Sequence, residues 1–131
     1  MTIKSAGEYK IYAESDDENE FAKIYDEATD EVWVDILSKY PELSRLVAAN
    51  NTISLNILSH LSRNGDWMTR CDVATKRRIS REIFERLASD VHSGVRQAIA
   101  CNPKAPKDIL TSLANDADEL VAQAAKERLV S

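Results

Sequence analysis

Proline and glycine are scarce, three of each in 131 residues. That is too few for a sandwich of many short strands and tight turns. Cysteine occurs only as Cys71 and Cys101, thirty residues apart, with no C-x-x-C and no histidine nearby. This spacing excludes a disulfide framework and a zinc pattern, and both residues read as small core-filling or half-buried thiols. No apolar run approaches the ~20 residues of a membrane span. The segment Met1-Thr2-Ile3-Lys4-Ser5-Ala6-Gly7-Glu8 has no apolar stretch of signal-peptide length, so the chain is expected to stay in the cytoplasm, off the membrane. The motifs G-x-S-x-G, G-x-G-x-x-G, H-E-x-x-H and the P-loop are all missing. His60 and His92 fall far apart, so no metal site is expected. Adjacent carboxylates abound, but nothing supplies the cleft that would shift their pKa values for acid–base work. The chain does not read as an enzyme.

What is present begins with a charge split. Residues 1–42 carry twelve acids against four lysines, a net of −8, whereas residues 43–131 carry ten acids against thirteen bases, a net of +3. An acidic head precedes a mildly basic body. Such a head can repel nucleic acid, attract a basic partner, fold back onto the body's arginines, or simply be a solvated helix face.

The body repeats itself every 26 residues without a gap. Val47, Val73 and Ile99 align, followed by Ala48, Ala74 and Ala100. Ile57, Ile83 and Ile109 align next, then Leu58, Phe84 and Leu110, then Leu61, Leu87 and Leu113. Each unit reads as two short helices. Ser54 and Ser80 stand at the first helix's N-cap, and Pro106 takes the matching place in the third unit. One such pair cannot cover its own apolar stripe, so pairs must stack.

Before the repeats, residues 31–46 read as a degenerate unit. Ser15-Asp16-Asp17-Glu18 reads as a capping box that opens an acidic cap helix within residues 15–30, with Phe21, Ile24, Tyr25 and Ala28 on one face. Residues 1–14 are expected to be loosely ordered. Residues 125–131, with Lys126, Glu127 and Arg128, form a polar C-terminal cap. A single helical-repeat domain is therefore expected over residues 15–131, with three repeats in residues 47–124.

The stretch Ala100-Cys101-Asn102-Pro103-Lys104-Ala105-Pro106-Lys107-Asp108-Ile109-Leu110, followed by Leu113-Ala114-Asn115-Asp116, resembles the variant leucine-rich repeat. That family is a relative of the HEAT-like helical repeats. Leu87 to Asp90 and Gly94 to Ala100 match the later part of the same pattern. The match departs at Lys76-Arg77-Arg78, where the loop's asparagine and proline are lost, and the acidic head has no counterpart. The family's iron–sulfur cysteine cluster is absent, so no cofactor is carried over. The resemblance implies an all-α fold, a right-handed α-α superhelix (solenoid) of about four HEAT-like helix pairs, serving as a binding surface.

Three sets of residues compete as that surface. The acidic head supplies Glu14, Asp16, Asp17, Glu18, Glu20, Asp26, Glu27, Asp30 and Glu31, able to mimic a polyanion and cover a basic protein's active site. Small acidic bacterial helical-repeat proteins resemble the immunity proteins that neutralise toxins, and a monomeric inhibitor of a basic partner, such as a toxin nuclease, is the leading expectation. A generic adaptor or regulatory subunit would instead use the concave repeat face, with Trp33 and Trp67 as anchors; for Trp67, packing in or near the core is the preferred reading. A nucleic-acid binder would use a basic stripe of Lys76, Arg77, Arg78, Arg81, Lys104 and Lys107, but the acidic net charge and the lack of interleaved aromatics count against it. Arg70 and Arg96 share a repeat phase and are expected to reach acids or loop carbonyls of the neighbouring unit.

Overall fold

The computed structural model describes residues 2–131. They divide into two compact units, one ending at Leu61 and the other spanning Ser62–Ser131. Helices account for all the regular structure among the described residues. An isolated parallel bridge joins Thr2 to Glu27.

The first unit departs from expectation at its start. Ala6–Ala13 forms helix α1, capped by Ser5, whose hydroxyl accepts from the Glu8 N–H. Ile3, Ala6 and Tyr9 are buried, so this segment is packed and not loose. The Tyr9 ring meets Trp33 edge to face at 5.5 Å. The expected acidic cap helix is also shorter than the sequence suggested. Asp17, not Ser15, is the N-cap, accepting from the Glu20 N–H, and it opens α2 (Glu18–Phe21), which tightens at once into a 3-10 turn over Ala22–Tyr25. Ser15 instead accepts from the Asp17 N–H.

Helix α3 (Asp30–Lys39) starts at Thr29, which caps the Val32 N–H. Its buried residues Trp33, Ile36 and Leu37 follow the i, i+3, i+4 spacing of a single stripe. A 3-10 turn over Pro41–Leu43 leads into α4 (Ser44–Ala49). Buried Asn50 then ends α4. Its amide donates to the carbonyls of Ile24 and Asp26, each at 2.9 Å, and its oxygen accepts from the Thr52 N–H at 2.8 Å. Helix α5 (Leu55–Asn64) follows, and the division between the units falls within it.

The second unit contains α6 (Trp67–Ala74), α7 (Arg81–Ala88), α8 (Ser93–Cys101), α9 (Lys107–Leu113) and α10 (Glu119–Val130). Helices α6, α8 and α10 pack in sequence, and α7 and α9 lie against one another. The residues in repeat phase, Val73, Ile83, Leu87, Ile99, Ile109 and Leu113, are all buried. Complete burial of such a side chain is worth about 1.5–3 kcal/mol.

The sequence period is also a period of hydrogen bonds. Arg70 grips the Asp90 carboxylate at 2.7 and 3.0 Å and donates to the Gly65 carbonyl. One repeat later, Arg96 grips Asp116 at 2.8 and 3.1 Å and donates to the Asp90 carbonyl. Asn102, in phase with Asn50, donates to the carbonyls of Ala74 and Lys76 at 2.7 and 2.8 Å. Arg128 stands one repeat further on and donates to the Asn102 carbonyl at 2.7 Å. A residue expected only to make the C-terminal end polar therefore also ties α10 to the preceding loop.

Candidate functional site

The acidic head lies in the first unit, which carries twelve acids and five bases. Glu14 pairs with Lys10 at 3.3 Å. Asp30 accepts from the Ser54 hydroxyl at 2.9 and 3.0 Å, and Asp17 serves α2 as its cap. Asp16, Glu18, Glu20, Asp26, Glu27 and Glu31 form no ion pair among the described residues. Asp16, Glu18, Glu27 and Glu31 are exposed. The structure thus sorts the nine residues into three with structural duties and six without a cationic partner.

A second polar cluster lies in this unit. Glu8 accepts a hydrogen bond from the Tyr12 hydroxyl, which holds the carboxylate below its usual range and pushes Tyr12 up to about 12. The Lys23 ammonium lies over the Tyr12 ring, 5.3 Å from its centroid.

The basic stripe is placed on the second unit and is partly spent. The loops holding Lys76 and Lys104 adjoin, because Asn102 donates to the Lys76 carbonyl while its own oxygen accepts from the Lys104 N–H at 2.8 Å. Arg81, however, is paired with both Asp108 and Glu85. Lys76 is half-buried, and burial pulls its ammonium pKa down. Arg77, Arg78, Lys104 and Lys107 are exposed.

The two tryptophans separate sharply. Trp33 is 0% exposed and so cannot serve as a partner anchor. Trp67 is 45% exposed, contrary to the core placement preferred from sequence. Its indole stacks on the His92 ring, with centroids 4.1 Å apart and planes 4° from parallel. His92 in turn caps α8, its Nδ1 accepting from the Gly94 N–H at 3.0 Å. The sequence reading missed this pair. The available signal was that Trp67 and His92 occupy adjacent repeat phases, one at the first residue and one at the N-cap of successive second helices.

Among the described residues no group of His, Cys, Asp and Glu could hold a metal ion. Cys71 is half-buried and Cys101 is exposed. No helix among them is long and apolar enough to cross a membrane. No family model, curated protein or solved structure matches the chain.

Proposed function

We propose that this chain is a non-enzymatic binding module of HEAT-like, variant leucine-rich repeat type, its helix pairs stacking as a right-handed solenoid. It acts as an inhibitor of immunity type, monomeric by itself, that covers a basic protein such as a toxin nuclease in the cytoplasm. The observation that carries this reading is the set of six head carboxylates without a cationic partner among the described residues. Gathered on one unit, they form a negative field that speeds encounter with a positive site.

A nucleic-acid role has less support. Of the six cations it needs, Arg81 is neutralised and Lys76 is half-buried. Phosphate contacts require accessible cations.

The test is a tagged pull-down from the source organism followed by mass spectrometry. A stoichiometric basic partner with toxic or nuclease activity supports the proposal. An acidic partner, or a nucleic acid retained at physiological salt, overturns it.

A further inference from the structure

The exposed Trp67–His92 stack lies outside the acidic head, and the geometry points to it as a second docking surface, for a peptide segment that carries arginine between apolar side chains. The inference rests on the reading of the chain as a protein-binding module. It uses different residues, in the second unit only.

Four observations converge. First, the starts of α6 and α10 carry exposed apolar residues besides Trp67: Met68 is 40%, Leu120 66% and, in the loop before α8, Val91 93% exposed. Met68, Gly94 and Leu120 occupy one repeat phase at the starts of α6, α8 and α10. These three helices pack in order, so the row runs across neighbouring elements. An exposed apolar row of this kind marks an interaction surface more often than a scattered residue does.

Second, the Trp67 ring is held before any partner arrives. Its stacking on His92, itself fixed by the Gly94 N–H, removes rotamer freedom that binding would otherwise have to remove. Third, Gly94 is one of only three glycines in the chain, and its place is explained by the stack. A Cβ there would stand 3.0 Å from two atoms of the His92 ring and 3.8 Å from Trp67. A glycine inside a helix disfavours it, and here the gain is room for the flat ring pair.

Fourth, the surrounding charge selects the occupant. The carboxylates of Asp66 and Asp118 already cap the N-termini of α6 and α10, so those helix ends repel an added anion. Arg70 and Arg96 are consumed by Asp90 and Asp116. Glu119 is exposed next to Leu120. A planar guanidinium satisfies both features of this surface, stacking on an indole face and meeting nearby carboxylates. An acidic or purely apolar segment satisfies one at most.

The test is an NMR titration of the full chain with a short capped peptide of alternating leucine and arginine. Matched peptides carry glutamate or serine in place of arginine. The arginine peptide is expected to shift the Trp67 indole N–H and the Leu120 methyl signals saturably, with a Kd of about 1 mM or tighter, while the buried Trp33 indole stays still. The glutamate and serine peptides are expected to bind about tenfold more weakly. Gly94→Ala, which crowds His92, is expected to weaken binding about fivefold while the other amide signals report an intact fold. Equal binding of the three peptides, or no saturable shift with any of them, overturns the inference. Shifts that follow protein concentration alone also overturn it and assign the surface to a second copy. Lysine substitutions of Asp16, Glu18, Glu27 and Glu31 leave this titration unchanged, so its failure is distinguishable from failure of the head.

Discussion

Arg96 holds Asp116 by two guanidinium nitrogens at 2.8 and 3.1 Å, with only a tenth of the Asp116 side chain left exposed. The Arg96 hydrogen bonds hold the Asp116 carboxyl below its usual range. For Asp90, burial pushes the carboxyl upward, but Arg70 and the His92 backbone N–H outweigh it and the net shift is also down. A carboxylate depressed in the folded state stabilises the fold above its unfolded pKa and loses that contribution as pH falls through the folded value. Urea denaturation is expected to show stability falling from about pH 5 toward about pH 2. Asp116→Asn is expected to be less stable than the parent at neutral pH, with the two converging at the acid end. Parallel pH profiles for parent and variant would contradict the assignment.

Asn102 is the buried link between successive loops. Asn102→Ala removes two donated hydrogen bonds, leaving the carbonyls of Ala74 and Lys76 without this partner. The expected cost is about 3 kcal/mol, measured by denaturation. Asn102→Asp is expected to be no better, because a carboxylate cannot donate to those carbonyls. Retention of parental stability by the aspartate variant would show that donation is unimportant.

Tyr9 gives the opposite sign. Its hydroxyl is fully buried without a hydrogen-bond partner among the described residues, and burial raises its pKa. Tyr9→Phe keeps the edge-to-face packing on Trp33 and removes the unpaired group, so the urea midpoint is expected to rise by the equivalent of about 1 kcal/mol. A loss of that size would instead show that the hydroxyl is satisfied in solution.

Leu87 sits at 0% exposure in α7. Leu87→Ala is expected to cost about 2–5 kcal/mol through the cavity it leaves. A cost below about 1 kcal/mol would mean that the site collapses around the smaller side chain.

Much of the second unit was legible because its apolar residues recur in phase and its serine caps fall where helices must begin. Ser80 caps the Ile83 N–H as the sequence implied, and Arg70 and Arg96 each reach an acid twenty residues on, together with a loop carbonyl a few residues back. The head was harder. In α1 the large buried side chain is Tyr9 while Ile11 is 62% exposed, so hydropathy alone points at the wrong side chain. At the start of α2, Ser15 and Asp17 are both good caps, and the choice fell to Asp17 because it reaches the Glu20 N–H. Trp33 had a visible clue in Ile36 and Leu37 on the same stripe. Trp67 precedes the buried positions Val73 and Ala74 of α6, and its stacking partner lies in another repeat. That contact exists only once the helices have packed.

The central claim concerns the six head carboxylates without a cationic partner, and the most direct measurement is partner affinity before and after their charge is reversed. Asp16, Glu18, Glu27 and Glu31 are the four to change to lysine, since they are exposed and none serves as a helix cap. Binding of the captured partner, followed by biolayer interferometry at physiological salt, is expected to weaken about tenfold or more, with most of the early loss in association rate. Affinity unchanged by the four reversals, in a variant whose circular dichroism and melting match the parent, would contradict the account.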